Sequence, residues 1–117
     1  METYGECFEQ LATLQSVKAN VSLGTITIIW KTSSERDNAG FYLWRAEIDK
    51  NGNYVNITQI NDKLIPSTGS ISGSSYSYKD STVVSGTKYY YVIQNIHFSG
   101  KTIFHWDYLV TVTAKQK

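Results

Sequence analysis

The sequence predicts an all-β protein, a seven-stranded β-sandwich preceded by a short N-terminal extension. Three observations predict it. Helical periodicity is weak almost everywhere, whereas segments such as "TITIIWK" alternate and are β-branched. Turn signals recur about every 8–12 residues over roughly 100 residues, the spacing of a two-sheet sandwich. Nine Tyr stand among many Thr, Ser, Val and Ile, the residue types that fit a pleated, half-buried surface. The 117 residues make one ordinary domain, long enough to bury a core without metal or disulfide support. Hydrophobic residues at 41% and charged residues at 18% are a globular composition.

The elements follow in order. Residues 1–13 form the extension, and "GECFEQLATL" (Gly5–Leu14) is the one segment with helical spacing, through Phe8, Leu11 and Leu14. One or two helical turns are expected there. The domain proper runs over 14–114, with 115–117 as a tail. Its first strand is Leu14–Ala19, and "NVSLG" is turn-like. The second strand is Thr25–Lys31, with Ile26, Ile28 and Trp30 on one face. The polar loop "TSSERDNAG" leads to a third strand, "FYLWRAE". "DKNGN" carries the hairpin dipeptide Asn51-Gly52, so "YVNITQI" becomes a short edge strand. The next stretch is rich in Ser and Gly and holds the only proline, Pro66; it reads as a long crossing between sheets. "SYSYKD", "KYYYVIQNIHF" and "TIFHWDYLVTVTA" are the last three strands, separated by the turns "STVVSGT" and "SGK". An α/β fold does not fit, because no helices alternate with these strands.

Composition also excludes partners. The formal charge is +1, from 11 basic and 10 acidic residues, and no basic tract stands out, so nucleic acid is not expected. No run approaches the ~18 apolar residues of a membrane-spanning helix. Cys7 is the only cysteine, so an intrachain disulfide is impossible and a free thiol is expected. The residues around Cys7 lack the apolar run of a signal peptide. The expectation is a domain of a longer protein.

The segments "TITIIWKTSSERDNAGFYLWRAE", "YSYKDSTVVSGTKYYYVIQNIHFSGK" and "FHWDYLVTV" resemble the fibronectin type III-like domains that recur in bacterial surface and secreted proteins. The resemblance covers Ser16 to Thr113. Trp30 resembles the family's core tryptophan. "VVSGTKYYY" resembles its Leu-x-Pro-Gly-Thr-x-Tyr pattern, with Val83 in the Leu position, Ser85 replacing Pro and Tyr89 as the corner tyrosine. Such a tyrosine supplies a large ring and pins the crossover with its hydroxyl. The resemblance implies an immunoglobulin-like sandwich that works as a spacer, structural module or interaction module, without a catalytic site or cofactor. It also implies strand parity. Ile26, Ile28, Trp30, Phe41, Leu43, Tyr89, Tyr91, Ile93, Tyr108, Val110 and Val112 point inward. Tyr42, Trp44, Tyr90, Val92, Leu109 and Thr111 point outward.

His97, His105 and Asp107 supply types for a Ser–His–acid set, but no Gly-x-Ser-x-Gly elbow accompanies them. His97 and His105 flank the "SGK" turn, where hairpin proximity alone accounts for their closeness, so no metal is expected on them and Asp107. Glu35, Asp37 and Asn38 in "ERDNAG" lack the spacing of a calcium loop. Asp37 and Asn38 are expected to hold that loop through side-chain-to-backbone hydrogen bonds, Glu35 to cap it, and Gly40 to permit the turn into the strand. Asn20 and Asn56 begin short glycosylation sequons, which arise by chance in Ser/Thr-rich chains.

The feature with functional content is the outward row Tyr42, Trp44, Tyr90, Val92 and Leu109, expected to form one aromatic patch. A contiguous apolar patch marks an interaction site. The expected role is a non-catalytic structural and docking module of a larger extracellular or cell-surface bacterial protein, its partners being neighbouring domains or another protein. Two alternatives use the same patch: a carbohydrate-binding module that stacks sugars, and a self-assembling surface subunit.

Overall fold

The computed structural model describes residues 13–108 and 110–115. The expected helical turns before Thr13, with Cys7, Phe8 and Leu11, lie outside the described residues, as does Leu109. Among the described residues nine strands form two antiparallel sheets: β1 (Thr13–Ser22), β2 (Thr25–Ser34), β3 (Asn38–Ile48), β4 (Tyr54–Gln59), β5 (Ile65–Pro66), β6 (Ser75–Asp80), β7 (Lys88–His97), β8 (Thr102–Phe104) and β9 (Val110–Thr113). One sheet has the order β1-β2-β6; the other has the order β4-β3-β7-β8, with β5 added to β3 and β9 to β7. The chain is an all-β sandwich, as the alternation and turn spacing predict.

The inner parity also agrees. Ile26, Ile28 and Trp30 on β2, Phe41 and Leu43 on β3, and Tyr89, Tyr91 and Ile93 on β7 are all fully or almost fully buried. Trp30 sits at the centre, its ring 5.5 Å from both Phe41 (edge-on) and Tyr76 (stacked). The corner tyrosine behaves as the resemblance implies: the Val84 N–H donates to the Tyr89 hydroxyl at 2.7 Å.

Several expectations need correction. The first strand continues through "NVS" to Ser22, so the turn is confined to Leu23 and Gly24. Gly40 is not required for a left-handed turn. Ile65 of β5 approaches so closely that its carbonyl oxygen lies 2.3 Å from where a Gly40 Cβ would stand. The last strand is not continuous. β7 advances three residues, from Gln94 to Tyr91, while its partner advances six, from Phe104 to Val110. The surplus is taken up by a 3-10 turn at Trp106–Tyr108, closed by the Tyr108 N–H on the His105 carbonyl. Tyr108 is consequently 37% exposed rather than a core residue. Beyond the turn the expected phase resumes, and Val110 and Val112 pack against the core.

Among the described residues one ionic contact spans the two sheets. Arg45 of β3 donates to Asp80, at the end of β6, at 2.9 Å, and Tyr91 of β7 donates its hydroxyl to the same carboxylate oxygen at 2.7 Å. The other Asp80 oxygen accepts the Thr82 hydroxyl at 2.7 Å and the Thr82 N–H at 3.1 Å. Burial opposes the Asp80 charge, but the donors Thr82, Tyr91 and Arg45 outweigh it and hold the pKa below the ordinary value. Burial, then Asp80 itself, pushes the Tyr91 hydroxyl up, which keeps it a donor. A buried carboxylate stripped of a partner is costly, whereas loss of both partners is far less so. Arg45→Ala should therefore destabilise by about 3 kcal/mol or more, and adding Asp80→Ala to it should cost much less than the two single changes summed. Urea denaturation of the four proteins reads this directly; additive effects would show that the pair is not coupled.

Candidate interaction groove

The outer face of the larger sheet carries the candidate site, and the strand register builds it. On that face Trp44 lies across from Val92, and Ala46 across from Tyr90. Large and small side chains therefore alternate on the two diagonals of a square. Ala46 and Val92 are buried as a low floor, 5% and 4% exposed, between the larger Trp44 and Tyr90. Tyr54 and Ile57 of β4 extend one wall, and Phe104 and Trp106 extend the other. The result is an open groove of about 260 Å³ with almost wholly apolar walls.

Ring contacts fix both walls. Tyr54 and Tyr90 lie 4.3 Å apart in a tilted pair. Phe104 stacks on Trp106 at 5.3 Å and 18°, and meets Trp44 at 5.9 Å and 59°. Trp44 Nε1 donates to Gln94 Oε1 at 2.8 Å, so the polar edge of the indole is satisfied within the sheet and its ring is left for contact. Burial, and then the neighbouring Tyr54, raise the pKa of Tyr90. Arg45 borders the groove, but its Nη1 is engaged by Asp80 and Thr82.

The structure brings Trp44, Tyr90 and Val92 together as expected. Val92 forms floor rather than exposed surface. Tyr42 shares the face, across from Gln94, but does not line the groove, and Leu109 lies outside the described residues. The additions are Ala46, Tyr54, Ile57, Phe104 and Trp106. Tyr54, Ile57 and Trp106 are each more than half exposed, and sequence alternation could not find them because each depends on an irregularity. The 3-10 turn places Trp106, and β4 departs from regular pairing between Tyr54 and Ile57.

The other candidate residues do not converge. Glu35 is buried and accepts the hydroxyls of Thr32 (2.6 Å), Tyr76 (2.5 Å) and Ser67, so it ties the loop to β2, β6 and the crossing segment. Burial raises its pKa, but these hydroxyl donors, Ser67 foremost, leave it below the ordinary value. Asn38 does not bond the loop backbone with its side-chain oxygen; that oxygen accepts from Asn95 Nδ2 at 2.8 Å. Asp37 contributes its main chain, with φ 57° and a carbonyl that accepts the Phe98 N–H. His97 is buried beside that same carbonyl, and His105 donates from Nε2 to Asn95 Oδ1, while Asp107 is exposed in the 3-10 turn. Among the described residues no three or more His, Cys, Asp or Glu are grouped to hold a metal ion.

No protein-family model matches the chain, and no curated protein matches it. Solved structures do. A Fn3-like protein from Clostridium thermocellum superposes with TM-score 0.52 at 24% identity, covering 76% of this chain and 78% of that one. Astrotactin-2, a vertebrate-specific, perforin-like membrane protein involved in neuronal development, gives TM-score 0.61 at 12% identity over 86% of this chain and 21% of that one. OgpA from Akkermansia muciniphila gives TM-score 0.54 at 12% identity over 90% of this chain and 31% of that one. These likenesses agree with the all-β sandwich, and the first of them is to a Fn3-like protein. In the last two cases the chain spans well under half of the longer protein.

The histidine cluster predicts a pH dependence. Burial, and then neighbouring His97, lower the His105 pKa from 6.5 to about 4. A depressed histidine binds its proton less tightly folded than unfolded, so its stability contribution is complete above pH 6.5 and is lost as pH falls toward about 4. Glu35 and Asp80 are depressed from 4.5 and 3.8, so their losses come only below those values. The urea midpoint should therefore decline between about pH 6.5 and 4.5 in the wild type, and the decline should flatten in His105→Gln, which keeps an N–H donor without the titration. An unchanged slope in that variant would assign the effect elsewhere.

Proposed function

We infer that this chain is a non-catalytic structural and docking module of a larger extracellular or cell-surface bacterial protein, with the aromatic groove as its contact surface. The observation that carries the reading is the groove itself: a preformed apolar depression, rimmed by exposed Tyr54, Ile57 and Trp106, on the face of a rigid sheet. Exposed apolar surface of this kind is stabilised by covering it, and Tyr and Trp are enriched where proteins meet. The modular part of the reading is supported by the longer chains within which similar sandwiches sit. The extracellular part rests on the sequence resemblance.

The lining favours a protein over a sugar. Saccharides present hydroxyls that must exchange water for protein hydrogen bonds, and aromatic platforms that bind them need polar groups beside the rings. The Trp44 N–H is committed to Gln94, and Arg45 Nη1 to Asp80 and Thr82. The walls present rings and aliphatic groups to an occupant.

A photo-crosslinking residue in place of Trp106, introduced in the native cell, tests this. The expected product is a protein adduct that disappears when Ala46→Phe fills the groove floor. A glycan-array signal from the wild type that is lost in Trp44→Ala would overturn the reading in favour of carbohydrate binding.

A further inference from the structure

β4 contains one irregularity, and the groove depends on it. Side chains of a regular strand alternate, so residues three apart face opposite ways. Tyr54 and Ile57 are three apart, yet both line the groove. The register explains how. Thr58 pairs with Arg45 and Val55 pairs with Glu47, so Asn56 and Ile57 together oppose the single residue Ala46. Asn56 takes the extra position at φ 53°, in the left-handed region. This is a β-bulge, and Asn enters that region more readily than most residues with a side chain. With Asn56 in regular extended form, either Tyr54 or Ile57 would turn to the inner face and one wall would be lost.

The same bulge acts on the sheet edge. β4 is the outermost strand on its side of the sheet, and an edge strand offers a row of unpaired backbone groups to any incoming strand. A bulge interrupts that row and twists the edge away from a flat partner.

We propose that Asn56 sets how this site is used: its bulge completes the groove wall and closes the neighbouring edge, so that a folded protein partner inserts apolar side chains face-on and no extended peptide adds to β4. The proposal rests on the docking role inferred above. An uncharged apolar occupant matches a lining whose one bordering cation is already paired across the sandwich.

Three variants separate the two halves of the proposal, with the fluorescent dye ANS as the groove probe and near-UV circular dichroism as the check on folding. The wild type is expected to bind the dye. Asn56→Gly, which keeps the left-handed conformation, should bind it within about twofold of wild type. Asn56→Val should bind it more weakly than wild type, because the strain of a β-branched residue in the left-handed region biases β4 toward the regular register. Deletion of Asn56 is the informative third case. It joins the Val55–Glu47 and Ile57–Ala46 pairings without a surplus residue, so Tyr54 and Ile57 stay on one face while the edge becomes regular. Dye binding should survive, and light scattering should reveal concentration-dependent self-association beyond that of the wild type.

A wild type that does not bind the dye, an Asn56→Val protein that binds it as well as wild type, or a deletion variant that associates no more than wild type would each overturn the proposal. Should Asn56→Val fail to fold, the wild type itself decides. Nuclear Overhauser contacts from the Ile57 methyls to the groove rings are expected, and their absence would overturn the shared face. A crosslink at Trp106 that is insensitive to Ala46→Phe would sink the docking role while leaving these outcomes for Asn56 intact.

Discussion

The carboxylate of Asp80 is the constraint on which the sandwich depends. It stands at the end of β6 in the smaller sheet, only 3% exposed, and takes donors from Arg45 and Tyr91 of the larger sheet. A buried charge must be met by donors of correct geometry or it opposes folding. This one therefore fixes the separation and offset of the two sheets at one point. The Arg45 guanidinium also lies 4.9 Å over the Tyr89 ring, the corner tyrosine, so the ionic contact and the crossover into β7 are held by one group. The Trp30-centred core fills the space between the sheets, and apolar packing of that kind tolerates sliding better than directed hydrogen bonds do.

With the inner faces fixed in this way, the outer face of the larger sheet is fixed too, because the side-chain period of a strand is two. Arg45 facing inward obliges Trp44 and Ala46 to face outward, and Tyr91 inward obliges Tyr90 and Val92 outward. The depression between the aromatic walls is a consequence of size: Ala46 and Val92 occupy one diagonal of the pairing and Trp44 and Tyr90 the other. Core and candidate contact surface are thus two sides of one register, and a slip in that register would lose both.

Two departures from regular geometry build the site. The bulge at Asn56 supplies one wall, and the 3-10 turn at Trp106–Tyr108 supplies the outermost ring of the other. A third cluster, Asp37 with Asn38, Asn95, His97 and His105, joins the loop before β3 to the hairpin that carries Phe104. Irregular backbone costs free energy, and it persists where surrounding contacts over-determine it. At the third cluster, hydrogen bonds from the Asn38, Asn95, His97 and His105 side chains tie the loop to the hairpin beneath the aromatic wall.

Periodicity is legible in the chain before it folds. Alternation placed Ile26, Ile28 and Trp30 on a single face, and turn residues separated the strands closely enough to predict a sandwich. The fibronectin type III-like pattern around Tyr89 supplied the phase for β3 and β7, and with it the inward Phe41 and Leu43 and the outward Trp44 and Tyr90. Three matters were decided only by the tertiary structure: the entry of Tyr54, Ile57 and Trp106 into the groove, the exposure of Tyr108, and the assembly of Glu35 and Asp80 as buried acceptors. The first two follow from a surplus residue in β4 and a surplus turn after β8, and a surplus is defined only against the partner strand. The last follows from donors distant in the chain, such as Tyr76 for Glu35 and Arg45 for Asp80. Local alternation carries the face of a side chain, whereas the number of residues opposed across a sheet and the partner of a buried charge exist only once the chain has folded.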